Sequence, residues 1–316
     1  MDEYRKMIKF LIRRLLVAIP TMFCIVLLVF SLVHATPGNP FQGEKALSPE
    51  VMKQLLHQYR LDLPVWKQFY LYIVDLLHGN FGPSYKFIGQ SINGLIFPDY
   101  MGGFWVTMRL AIYAMVFTVP LGILFGCYAG LYRNTWFDRL VVMSNMFFSA
   151  VPTIVTGPLA VFLFAVILHL LPASGWGDGD FRHLFLPVTI LTLAYMPTVA
   201  FVTRGSIIDV LNSNFIRTAR AKGLPTRAII FKHAIRPTLI PVVSLLGPMF
   251  AGVLVGAIVT EQVFALPGLG ILTTNGATNR DYNLVLGITI FGSFLTIAFN
   301  FFVDILYFFL DPKIKQ

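Results

Sequence analysis

The stretch Phe104-Trp-Val-Thr-Met-Arg109-Leu-Ala-Ile-Tyr-Ala-Met-Val-Phe-Thr-Val-Pro120-Leu-Gly122-Ile-Leu-Phe-Gly126-Cys127-Tyr-Ala-Gly130-Leu131 carries one charged side chain, Arg109. About 20 predominantly apolar residues suffice for an α-helix to cross the hydrocarbon core of a bilayer, so this run reads as a transmembrane helix. Similar runs fall at 15–34, 140–171, 184–203, 238–259 and 284–310, giving six expected spans. The third contains Pro152 and Pro158 and is expected to kink or tilt. The composition agrees: 56% of the 316 residues are apolar and 12% charged, about half the charge of a soluble chain. A disordered protein, a nucleic-acid-binding domain and an ordinary soluble enzyme are thereby excluded. The expected fold class is an all-α polytopic membrane protein.

The segments between the spans set its orientation. Segments 1–14, 132–139, 204–237 and 311–316 hold 16 Lys and Arg against five acids, whereas 35–103, 172–183 and 260–283 hold 7 against nine. The basic side is expected to be cytoplasmic, which puts both termini inside, as six spans require. The net charge of +9 then reflects this bias and needs no nucleic-acid partner. Arg13-Arg14 before the first run imitates a signal peptide, and Val33-His34-Ala35 a cleavage site. That run exceeds the usual 7–15 residue signal core, so it is expected to stay as an uncleaved span. Cys24 and Cys127 lie inside apolar runs and read as small packing residues rather than a disulfide or metal site.

Within the spans, Gly122, Gly126 and Gly130, and Gly252 with Gly256, recur every four residues, which suits close helix packing or a sliding face. Arg109 can snorkel to the outer interface. Asp304, about two turns from the inner end of the last span, should have a partner, since a charge in the bilayer costs roughly 2.5–3.5 kcal/mol even on insertion scales. No relay of acids and histidines crosses the membrane, no His-Glu pair suggests an intramembrane protease, and the dipeptide Gly-Lys is absent, so there is no Walker A loop. An ATP-driven process would need ATP, with its magnesium, on another chain; none is expected to bind here.

The basic segment Asn212-Ser-Asn-Phe-Ile-Arg217-Thr218-Ala219-Arg220-Ala221-Lys222-Gly223-Leu224-Pro225-Thr-Arg227-Ala-Ile-Ile-Phe-Lys232-His233-Ala-Ile-Arg236-Pro237 is the most informative. A cap near 212–214 starts a helix through Lys222; Gly223 supplies a left-handed terminal residue and Pro225 blocks continuation. Pro225 also suits the start of a second short helix through Arg236. By charge alone this helix–turn–helix could equally be a lipid-headgroup stripe or a solvated loop.

Arg217-Thr-Ala219-Arg-Ala-Lys-Gly223 resembles the EAA loop of ABC importer permeases, with Ala219 and Gly223 on that pattern and Arg217-Thr218 in place of Glu-Ala, as in the peptide-importer branch. Leu11-Ile-Arg13-Arg14-Leu-Leu, Ala35-Thr-Pro37-Gly38-Asn-Pro40-Phe41, His78-Gly79-Asn80-Phe81-Gly82-Pro83-Ser84, Glu261 with Leu266-Pro267-Gly268-Leu-Gly270, Arg280-Asp281-Tyr282 and Asp304 with Asp311-Pro312-Lys313 are similar to further motifs of that branch, in order along nearly the whole chain. The wording around Pro40-Phe41-Gln-Gly43-Glu44 and Gly82-Pro-Ser84 is nearest to its oligopeptide members; dipeptide, murein-peptide and nickel permeases are the alternatives.

The resemblance implies an ABC type I importer fold in a bacterial inner membrane. Its expected parts are an N-terminal region 1–103, with the first span and a periplasmic insert, and a transmembrane domain 104–316 carrying a coupling loop at 204–237. It implies that Arg217–Pro225 couples to an ATPase and that Glu261, Pro267, Gly268, Gly270 and Asp304 are functional candidates. It also implies a second homologous permease, two ATP-binding cassette subunits, a periplasmic or lipid-anchored peptide-binding protein and a peptide substrate. In the insert, Ser48-Pro49-Glu50-Val51 opens a capped helix, and Pro64–Leu77 reads as another, bearing Trp66, Phe69, Tyr70 and Tyr72. These aromatics suit the outer interface, packing over the outer mouth, or docking of the binding protein.

Overall fold

The computed structural model describes residues 2–36, 40–41, 48–87, 89–98 and 102–310. Pro37-Gly38, Gly43-Glu44 and the tail motif Asp311-Pro312-Lys313 lie outside the described residues. The described chain is built from helices: α1 (Asp2–Ala35), α2 (Pro49–Gln58), α3 (Val65–Leu77), α4 (Ile92–Ile96), α5 (Phe104–Leu131), α6 (Trp136–Ala150), α7 (Thr153–Ile167), α8 (Phe181–Leu211), α9 (Asn214–Ala221), α10 (Thr226–Phe264), α11 (Leu269–Thr278) and α12 (Tyr282–Leu310). Five of them, α1, α5, α8, α10 and α12, are long and apolar enough to cross a membrane.

The third expected span, 140–171, is not one helix. α6 and α7 meet at 101°, so six spans result only if this bent pair counts as one. The break has a local cause: Val151 is extended at φ −99 and ψ 112, because a residue preceding proline is pushed out of the α region, and Pro152 opens α7. Pro158 sits within α7 without stopping it.

Two loops are also more helical than expected. The second short helix of the basic segment is not separate, since α10 runs unbroken from Thr226 to Phe264. Its turn Ile229–Ala234 is π-helical; this widening around His233 accommodates Pro237, whose ring would otherwise strike the carbonyl four residues back. Segment 260–283, expected as a loop, holds the end of α10 and all of α11.

The centre of the bundle is the α5–α8 pair, with α10 packed alongside. Leu110, Ala111 and Ala114 of α5, Leu191 and Val199 of α8 and Val253 and Ala257 of α10 belong to one buried cluster. Gly122, Gly126 and Gly130 turn to α8: a Cβ on Gly122 would stand 2.6 Å from Val199, and one on Gly126 would strike the Ala200 carbonyl. Gly252 and Gly256 of α10 leave room for the Tyr195 side chain, whose ring and hydroxyl would stand 3.0 and 3.2 Å from the missing Cβ atoms. Both stripes therefore serve close packing.

Candidate functional site

At the basic end, α9 stops as its residues dictate. The Gly223 N–H donates to the Arg220 carbonyl at 2.9 Å and the Leu224 N–H to that of Ala219 at 3.3 Å; this paired pattern closes a helix through a left-handed residue, and Gly223 has φ +75. Pro225 then precedes α10. The helix is held to its own chain by one face: Ile216 and Ala219 pack with Ile229 and Ala234 of α10, against Val210 and Leu211 of α8. Of the nine residues assigned to coupling, Ala219 is therefore buried against its own chain. The other eight, Arg217, Thr218, Arg220, Ala221, Lys222, Gly223, Leu224 and Pro225, are exposed. No acidic residue occurs between Asp209 and Glu261, so the exposed face is purely cationic, with Phe215 and Leu224 as apolar points beside it.

The expected loop 204–237 shrinks accordingly. Arg204 is not a loop cation but lies on α8 and pairs with Asp138 of α6. Asp138 is 3% exposed; it also accepts the Asn134 N–H at 2.8 Å, while its own N–H donates to Thr135 Oγ1 at 3.4 Å. The Thr135-x-x-Asp138 spacing is a helix-start signal that could have flagged this corner from the sequence.

At the opposite end of α10, four candidates converge. Glu261 is fully buried; its carboxylate accepts the Thr107 hydroxyl of α5 at 2.5 Å and the Gly270 N–H of α11 at 2.6 Å. The Thr107 oxygen in turn accepts the Leu269 N–H at 2.9 Å. The Pro267 carbonyl accepts the Gly103 N–H at 2.8 Å. A side chain on Gly268 would collide with the Glu261 carboxylate, and one on Gly270 would come 2.6 Å from the Ile258 backbone. The Pro-Gly-Leu-Gly segment thus wraps a carboxylate seated at the start of α11, where unpaired N–H groups and the helix dipole favour a negative charge. Thr107 and Gly103 were not singled out from the sequence, and nothing in the apolar run around them signals this partnership.

A second junction joins two quoted motifs. Asp281 is buried and accepts the Ser84 hydroxyl and the N–H groups of Tyr85 and Lys86 at 3.1 and 3.2 Å. It also caps α12 by accepting the Leu284 N–H at 3.2 Å, and Asn283 Nδ2 donates to the Pro83 carbonyl at 2.7 Å. Burial, followed by the neighbouring Asp281 carboxylate and Tyr59, pushes the Tyr85 hydroxyl above its ordinary pKa.

Asp304 stands apart from both sites and pairs with Arg14 of α1 at 3.2 Å. Arg109 lies over the Trp176 ring, 5.9 Å from its centroid. The four aromatics of α3 divide: Phe69 and Tyr72 pack against α1 and α12, while Trp66 and Tyr70 point outward.

Residues 122–316 match the family described as binding-protein-dependent transport system inner membrane component, and residues 7–91 match the N-terminal family of such components. The chain is 47% identical over 309 residues to the oligopeptide transport system permease protein OppB of Haemophilus influenzae, covering 98% of this chain and 100% of the relative. It is 46% identical, with the same coverage, to OppB of Escherichia coli K12. The dipeptide transport system permease protein DppB of Bacillus subtilis is 36% identical over 309 residues, covering 98% of each chain.

Proposed function

This chain belongs to the family of binding-protein-dependent transport system inner membrane components, and from that premise we propose that it is the membrane permease subunit of an ATP-driven oligopeptide importer. The chain is a multi-pass protein of the bacterial inner membrane. The observation that carries the substrate class is the near full-length likeness to oligopeptide permeases at 46–47% identity, against 36% for a dipeptide permease. Its family is one of transport permeases, not of enzymes.

The importer is completed by a second homologous permease, two ATPase subunits that bind ATP and magnesium, and a peptide-binding protein. The exposed part of Arg217–Pro225 with Phe215 docks into a groove of an ATPase. Because this face is cationic with apolar points, the matching groove carries carboxylates around an apolar floor. The Glu261–Gly270 knot belongs to the opposite mouth, where it ties α5, α10 and α11 into one unit.

The test is peptide uptake by a strain that lacks its own peptide importers and expresses this chain together with the second permease, ATPase and binding-protein subunits proposed above. Uptake of radiolabelled peptides of three to five residues, abolished by ATP depletion, is expected. Uptake of dipeptides alone would overturn the oligopeptide reading, and uptake that survives ATP depletion would overturn the importer reading.

A further inference from the structure

Helix α3 presents three distinct sectors around its axis. One holds Phe69, Tyr72, Ile73 and Leu76, packed in a cluster with Val26 and Phe30 of α1 and Leu286 and Ile290 of α12. The next holds Trp66, Tyr70 and Leu77, which are 73%, 63% and 81% exposed. The third is polar: Asp75 pairs with Arg60 at 3.4 Å, Gln68 donates to the Leu63 carbonyl at 2.7 Å, and Lys67 is exposed. A helix lying on a soluble surface needs only a buried and a polar sector. The additional wet apolar sector, rich in Trp and Tyr, requires another environment.

The depth of α3 supplies that environment. Gln68 Oε1 lies 3.1 Å from His34 Nε2, one residue from the end of α1. The Phe69 ring sits 5.1 Å from Phe30 and 6.1 Å from Phe23. At about 1.5 Å per residue, Phe30 and Phe23 lie roughly 8 and 18 Å below the Ala35 end of α1. On the other side, Tyr72 shares its cluster with Leu286 and Ile290, one and two turns inside α12. Both spanning helices therefore place α3 in the leaflet adjoining that end, with its polar sector at the rim beside His34 and the Phe69 ring reaching well into the hydrocarbon core. The exposed apolar surface of α1, with Phe23, Leu28 and Leu32 at 49%, 59% and 61% exposure, continues onto it through the Phe23–Phe69 contact.

We propose that α3 is an interfacial anchor whose Trp66, Tyr70 and Leu77 are immersed in the lipid leaflet adjoining the Ala35 end of α1. Trp and Tyr favour this zone because their rings are apolar and their N–H and O–H tips reach headgroups and water. A docking surface for a soluble protein would account for the exposed sector but not for the descent of Phe69 to Phe23. The proposal rests on the chain being a membrane protein and is independent of which side is cytoplasmic.

The test uses the assembled complex reconstituted in phosphatidylcholine vesicles, with and without bromine near the top of the acyl chains. The emission of Trp66 is obtained by subtracting the spectrum of Trp66→Phe, leaving the other three tryptophans as common background. Bromolipid is expected to quench this difference about twofold or more while aqueous iodide leaves it nearly unchanged, as for an interfacial ring. Tyr70→Trp in the Trp66→Phe background should behave alike. Quenching by iodide and not by bromolipid, with protection by added peptide-binding protein, would show a protein-docking surface. Quenching by neither would show a face covered by another subunit; either result overturns the proposal. Because the readout needs no transport, a failed uptake assay would leave it intact.

Discussion

Gly223 is where backbone geometry and the proposed coupling meet most directly. Its φ is +75, and a Cβ there would meet nothing within 4 Å, so glycine is required for conformation and not for space. Replacement costs of order 1 kcal/mol, more for a β-branched residue, too little to unfold the bundle. Gly223→Val is expected to insert and assemble yet to misdirect α9, abolishing both peptide uptake and the rise of ATP hydrolysis with loaded binding protein; Arg227→Ala should lose less. Wild-type stimulation in Gly223→Val would remove α9 as the coupling element. Glu261 is a different kind of residue, wholly buried and bonded to two other helices. Glu261→Ala leaves the Gly270 N–H without its acceptor and the Thr107 hydroxyl with only the longer bond to the Gly103 carbonyl at 3.4 Å, at about 1–3 kcal/mol, whereas Glu261→Gln retains one acceptor oxygen. Thermal unfolding of the purified complex should rank wild type above Gln above Ala. An alanine variant as stable as wild type would show that water replaces the carboxylate there.

Among the spanning helices, α1 is the least embedded, and its ties to α12 are the Val26–Phe30 contacts and the Arg14–Asp304 pair. Arg14 is 55% exposed and Asp304 21%, and because Asp304 lies within the spanning part of α12, the pair chiefly spares a charge that would otherwise stand unpaired there. Asp304→Asn should lower the unfolding temperature by a few degrees at most, and Asp304→Leu by more, since leucine gives Arg14 no acceptor; equal transport and stability in both would mean that Asp304 is simply wetted. The elements also show what could be read from the chain. The end of α9 was legible because its signals, Gly223 then Pro225, act within one turn. The break in α6–α7 was half legible: Pro152 announced a kink, but the 101° angle depends on neighbouring helices. The continuation of α10 was misread because Pro237 looks like a stop, and only the π turn before it explains why it is not. The Glu261–Thr107 and Asp281–Ser84 bonds join residues 154 and 197 positions apart. Glu261 and Asp281 could be picked out as candidates, but no local pattern names such partners.

For the whole molecule, the bent pair α6–α7 decides the topology. If it crosses the bilayer, the loop at Asp178 lies opposite the turn at Arg133; if it is re-entrant, Asp178 returns to the side of Arg133. With Cys24 and Cys127 replaced, cysteines at Asp178 and Asn279 are expected to react with an impermeant thiol reagent in intact cells, and one at Thr226 only after the membrane is opened. Labelling of Thr226 in intact cells would reverse the orientation read from the Lys and Arg asymmetry, and labelling of a cysteine at Asn134 together with Asp178 in intact cells would make the pair re-entrant. α10 meanwhile links the two ends of the protein physically. Its 39 residues extend about 58 Å at 1.5 Å per residue, from the turn after Pro225 to the Glu261 knot. Partway along, Gly252 and Gly256 rest on Tyr195, whose hydroxyl donates to the Gly252 carbonyl. A rod borne on such a fulcrum would act as a see-saw: were it to tilt as a body, its two tips would swing in opposite senses, so that widening a gap at one face of the membrane would narrow one at the other without any message passing from residue to residue.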